Sequence, residues 1–197
     1  MTTSAGTVAA YHPVTRASQT LASGFNELLG LARAPDGAVV AAEAGEGRVL
    51  KISTTGEVTV LARGLGRPSG VTVAADGSCY VSEASRGRVV KLNGGTTAVA
   101  EGLNTPQGLA LVGDQLLILD VGSKELLGVS LATKQRQTLA TNLPVGAPPG
   151  ITPKPLLGVA ELIPGPLSPF AGLAVGNDGT IYIAGDGEGS VLALKKV

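Results

Sequence analysis

Apolar residues run through this chain in short stretches, each closed off by glycine or by a Gly/Asp pair. The stretches 31–34 and 71–74 lead into Pro35-Asp36-Gly37 and Asp76-Gly77, and similar turns recur at Gly113-Asp114 and Asp178-Gly179. Such turns tolerate φ > 0 and close tight hairpins. A second run follows each turn, at 39–43, 79–83, 116–120 and 181–184, and ends in another glycine-containing turn. Third runs begin at Arg48, Arg88, Leu126 and Ser190, and more polar fourth runs occupy 58–62, 97–100 and 138–140. No long 3.6-residue pattern extends across these runs, so they predict β-strands rather than helices. Several are apolar at nearly every position, which predicts burial on both faces of a sheet.

The runs repeat as a unit. Copies open as GLARAPDG at Gly30, GVTVAADG at Gly70, GLALVGDQ at Gly108 and GLAVGNDG at Gly172, spaced 40, 38 and 64 residues apart. The first two spacings suit a four-stranded blade, and the third suits a blade carrying an insertion. Residues 6–25 align on 47–65 with one extra residue, as strands three and four of a blade lacking its first two. The predicted fold is an all-β propeller of four-stranded blades, about four of them, in a single domain over 1–197. A partial blade spans 1–29, blades start at 30, 70 and 108, an insertion covers 143–170, and a partial blade covers 172–197. Either the two ends join into one composite blade or the chain is part of a six-bladed propeller. The second is the expectation, because an open ring leaves unpaired edges.

Composition agrees with this picture. Glycine is abundant at 29 residues, aromatics are 3% and charged residues only 15%, which suits tightly turned strands better than solvent-facing helices. Fifteen basic residues balance fifteen acidic ones, so no overall field favours nucleic acid. No stretch reaches the roughly 20 apolar residues of a membrane span. The N-terminus lacks the basic and apolar regions of a signal peptide, and the compartment is left unassigned. Cys79, the only cysteine, can form no internal disulfide.

The strings PDGAVVAAEAGEGRVLKI and ADGSCYVSEASRGRVVKL resemble NHL repeats and the repeats of the regucalcin/gluconolactonase and virginiamycin B lyase families. The gluconolactonase resemblance implies a calcium ion at the channel mouth, held by Asn, Asp or Glu at the start of inner strands. Here the residues before the four repeat-opening glycines are Leu29, Ser69, Gln107 and Ala171. Only Gln107 offers a carbonyl, too little for a cation that takes six to eight oxygens. The lyase resemblance implies a histidine base with carboxylates holding magnesium. Glu43 and Glu83 resemble its glutamate after strand two, but the sole histidine, His12, ends a third strand and matches no base. No Ser/His/Asp set can be assembled around it.

The acids have a second reading. Glu43 and Arg48 stand five apart across a turn, as do Glu83 and Arg88, a spacing that allows ion pairs within a blade. Asp120 keeps the acid without the arginine, and the last copy has Gly185 and Ser190 in these places. The insertion holds eight of the twelve prolines and many apolar residues, so it reads as a semi-rigid extended loop on the channel-mouth face. It is either a lid or docking segment, or a cover that fills the channel. The expected function is a scaffold that binds a small molecule or protein on that face, with Glu43, Glu83, Gln107, Asp120 and Lys154 as candidate contacts. Association through 143–170 is a further expectation. No catalytic residue, metal ligand or cofactor is predicted. The alternative is a gluconolactonase-like hydrolase, dependent on calcium, whose metal ligands lie in further blades.

Overall fold

The structure is a computed structural model that describes residues 2–3, 6–147 and 170–195. The strands of these residues form five antiparallel sheets. An N-terminal sheet holds β1 (Thr2–Thr3), β2 (Thr7–Tyr11) and β3 (Ser18–Ser23). The first full blade is β4 (Leu28–Arg33), β5 (Val39–Glu43), β6 (Arg48–Ile52) and β7 (Val58–Ala62). The second is β8 (Pro68–Val73), β9 (Cys79–Glu83), β10 (Arg88–Leu92) and β11 (Thr96–Ala100). The third is β12 (Pro106–Val112), β13 (Gln115–Asp120), β14 (Glu125–Ser130) and β15 (Arg136–Ala140). A C-terminal sheet of β16 (Leu173–Val175), β17 (Ile181–Gly185) and β18 (Ser190–Leu194) ends the described chain.

This is the all-β propeller that the repeat predicts, with about four blades. Each blade is a meander whose strands pair in sequence order. The only helical element among the described residues is a three-residue 3-10 turn, Ala84–Arg86. The N-terminal sheet differs from expectation in one respect. Thr2 and Thr3 pair with Val8 and Thr7, so a stub of strand two precedes strands three and four.

Inner strands in the three full blades start two residues before the repeat-opening glycine, and the register with strand two slips there, as between Pro68 and Val71. The slip is a bulge that brings Gly70 against its neighbour. A Cβ on Gly70 would lie 1.9 Å from the Gln107 carbonyl oxygen, and one on Gly30 would lie 2.3 Å from that of Ser69. Only glycine permits successive inner strands to approach this closely.

The core lies between blades. Val40, Val49, Val71, Val81 and Val90 join the first two full blades. Val89, Leu116, Ile118 and Leu127 join the second to the third, and Leu117, Leu119, Leu126 and Ile183 join the third to the C-terminal sheet. Strands two and three are therefore buried on both faces, and outer strands such as β15 are mostly exposed. That is why their sequences are near-continuous apolar runs instead of alternating ones.

Candidate binding face

Strand two of each blade ends on the face where the chain crosses from one blade to the next, and its terminal acid is buried. Glu43 and Glu83 are fully buried and Asp120 nearly so. Each carboxylate accepts from the backbone of the incoming connection. Asn26 N–H donates to Glu43 Oε1 at 2.7 Å and Gly66 N–H to Glu83 Oε1 at 2.7 Å. Asn104 and Thr105 N–H groups donate to the two Asp120 oxygens at 2.8 and 2.7 Å.

The predicted cross-turn pairs are present. Arg48 holds Glu43 through Nε, with Nη2 at 3.3 Å from Oε1, and Arg88 Nε lies 2.5 Å from Glu83 Oε2. Arg86 adds a second guanidinium on Glu83, at 2.6 Å. Asp120 faces Glu125 across the turn, so no arginine pairs with it there, and both its oxygens accept from backbone N–H groups instead. The last sheet lacks this arrangement: Gly185 stands in the acid's place and Pro144, in the donor's, has no N–H, while exposed Asp186 accepts from Gly146 N–H at 2.8 Å. The connections themselves correspond: Leu65, Leu103 and Leu143 donate N–H to the carbonyls of Gly47, Gly87 and Lys124 respectively.

Burial works against the charged form of Glu83, but the Gly66 N–H and the Arg88 and Arg86 guanidiniums outweigh it and hold its carboxyl below the ordinary value. These acids fasten connections to blades.

The connections also place the insertion. Leu143 and Val145 are buried in the core and Gly146 meets Asp186, so residues 143–146 form an ordinary blade connection and the extra chain follows them. Phe170, at its far end, is half-buried. Lys154 and the rest of the insertion from 148 to 169 lie outside the described residues.

Two polar clusters stitch the inner strands. Ser82 Oγ donates to the Gln107 carbonyl at 2.7 Å and accepts from Gly70 N–H at 2.7 Å. Ser69 Oγ donates to the Pro106 carbonyl at 3.1 Å. Gln107 Oε1 accepts from Ala171 N–H at 2.7 Å. Beside them, Arg67 makes a bidentate pair with Glu27 of the preceding blade at 2.6 and 3.2 Å. Both residues have left-handed backbones, at φ 51° and 55°, and sequence reasoning did not single them out.

The solved structures that resemble this arrangement are propellers. Virginiamycin B lyase from Staphylococcus aureus, with quinupristin, superimposes with a TM-score of 0.65 at 12% identity, covering 97% of this chain and 60% of that one. A gluconolactonase from Xanthomonas campestris gives 0.66 at 17%, covering 96% and 68%. A chain of a nidogen/laminin complex gives 0.65 at 17%, covering 92% and 81%. The fold is theirs. The chain spans 60–63% of the length of the lyase structures it matches. No family model matches it, and no curated protein sequence does.

The calcium implied by the gluconolactonase resemblance does not fit the residues described. Of the four positions before the inner glycines, two are apolar, and Ser69 and Gln107 already serve backbone groups. Among the described residues no group of three or more His, Cys, Asp or Glu could hold a metal ion. His12 accepts from Thr15 N–H at 3.2 Å in an exposed hairpin. Among the described residues no helix is long and apolar enough to cross a membrane.

Proposed function

We propose that this chain is a binding scaffold, engaging a protein or small-molecule partner on the face built from the blade connections. One observation carries the reading. The connections at Phe25–Glu27, Leu65–Arg67 and Leu103–Thr105 pass directly into inner strands, whereas residues 143–146 repeat part of their backbone bonding, Leu143 N–H to Lys124 and Gly187 N–H to Pro144, and then lead into the proline-rich insertion. A fold that closes its connections in three residues has no structural need for such an excursion at one of them. The nidogen/laminin likeness supports a protein as partner. The candidate residues Glu43, Glu83, Asp120 and Gln107 act in this reading as supports that hold the contact surface, while Lys154 belongs to the insertion and contacts the partner directly. No cofactor takes part.

The test is deletion of 148–166 in the full chain. A specifically captured, identified partner should be lost while the blades still melt cooperatively. The competing reading is a calcium-dependent lactone hydrolase. Calorimetric detection of a low-micromolar calcium site, together with calcium-dependent lactone hydrolysis, would replace the scaffold with that enzyme.

A further inference from the structure

Comparison of the four turns between strands two and three isolates a feature the fold does not require. Residues 43–48 carry Glu43, Glu46 and Arg48, 120–125 carry Asp120, Lys124 and Glu125, and 185–190 carry Asp186 and Glu188. All three turns are net negative. Residues 83–88 carry Glu83, Arg86 and Arg88 and are net positive. Arg86 stands where the other sheets have Glu46, Ser123 and Glu188, so the repeated geometry does not call for a cation there.

Arg86 Nη1 and Arg88 Nε lie 2.6 and 2.5 Å from the two oxygens of buried Glu83. A third guanidinium comes from the adjoining connection. The Arg67 carbonyl accepts from Ala84 N–H at 3.2 Å, and its side chain reaches Glu27. Arg67 and Glu27 form a neutral pair beside two guanidiniums on the single carboxylate of Glu83, leaving one positive charge in excess. The Arg86 and Arg67 side chains are 47% and 45% exposed. Among the described residues Arg86 donates through Nη1 alone, and a guanidinium offers five N–H donors in a fork that matches a carboxylate. Its stem is held in place by Gly66, where a Cβ would come within 2.5 Å of Arg86 Cγ.

We propose that Arg86, flanked by Arg88 and Arg67, forms a carboxylate-binding subsite on the connection face. This rests on the scaffold reading and names the chemistry of what the scaffold takes. The single excess charge suits a monoanionic carboxylate, since Glu83 and Glu27 remain alongside and disfavour a phosphate dianion.

The experiment titrates the 15N-labelled full chain with an end-blocked hexaglutamate peptide at low salt, reading the arginine Nε–Hε resonances. Saturable shifts are expected at Arg86, Arg88 and Arg67, and binding should weaken about tenfold or more in Arg86→Glu, as expected for loss of a charge-assisted bond. That variant copies the residue the first full blade carries at this place, so a cooperative melting profile, lowered slightly by loss of the Glu83 pair, is expected. Arg136→Gln, on a different blade, should bind as the parent does. Acetate in a parallel arm distinguishes the source. Much weaker binding than the peptide assigns the subsite to an acidic partner segment, and equal binding assigns it to a free monocarboxylate. Absence of saturable shifts, binding indifferent to Arg86→Glu, or tighter binding of an oligodeoxythymidylate would overturn the proposal. Such a failure leaves the scaffold reading standing, because deletion of 148–166 acts at a different connection.

Discussion

At the residue scale, the burial of Glu83 is what gives it structural weight. Its carboxylate joins the Gly66 N–H of one connection to guanidiniums on the following turn. Removing it leaves that N–H without its acceptor and frees two arginines that are partly in water. Glu83→Ala should therefore lose about 1–3 kcal/mol in denaturant unfolding. Arg86→Ala, which removes an exposed partner only, should cost less than about 1 kcal/mol.

The pH dependence has a definite sign. The folded carboxyl of Glu83 is depressed, so its contribution is complete above the ordinary value of about 4.3. It is lost as pH falls from there through the lower folded value. A plot of Tm against pH should show that acid loss in the parent and a shallower one in Glu83→Gln. Cys79 behaves in the opposite sense: burial pushes its thiol up to about 12. Thiol reagents at neutral pH should modify it only at the rate of unfolding.

At the scale of the element, the inner strands are constrained more tightly than their sequences suggest. Gly70→Ala would place a methyl against the Gln107 carbonyl. The second blade would have to move from the third, disturbing the Ser69 and Ser82 bonds between them. A loss of about 3 kcal/mol is expected, at the upper end for overpacking. Leu116 on β13 is fully buried between the same two blades, so Leu116→Ala should cost about 2–5 kcal/mol, depending on how far the blades close on the cavity. Chemical denaturation of both variants checks these values. A Leu139→Ala change on exposed β15 is the contrast, with an effect within about 0.5 kcal/mol.

At the scale of the molecule, successive blades share their cores, so the sheets are not independent folding units. The Val8, Ala41 and Ile52 cluster couples the N-terminal sheet to the first full blade as the other clusters couple theirs. A chain with 148–166 deleted should still melt in one transition, with scanning calorimetry as the check, because the retained connection at 143–146 already makes the blade contacts. Two separated transitions would show that the insertion carries part of the core.

Period and polarity along the chain were enough to place most strands. The second strands at Val39–Glu43 and Cys79–Glu83 stand where the apolar runs between glycine turns put them, because hairpin turns and two-sided burial are local demands that each copy meets with its own residues. The Glu43–Arg48 and Glu83–Arg88 pairs were legible for the same reason, being five residues apart across one turn. What the acids do beyond the turn was not legible. Their backbone partners lie 15 to 17 residues away in the connections, and only the closure of each blade onto its neighbour brings them together. The Asp186 bond to Gly146 N–H was not legible for the same reason, its partner lying 40 residues away in the connection. The Glu27–Arg67 pair joins equivalent positions one 40-residue repeat apart, three residues before Gly30 and Gly70, but their opposite charges give no repeating signal along the chain. Local geometry was thus set by the sequence read in short windows, and the chemistry of the connection face was decided by which blades the tertiary structure made adjacent.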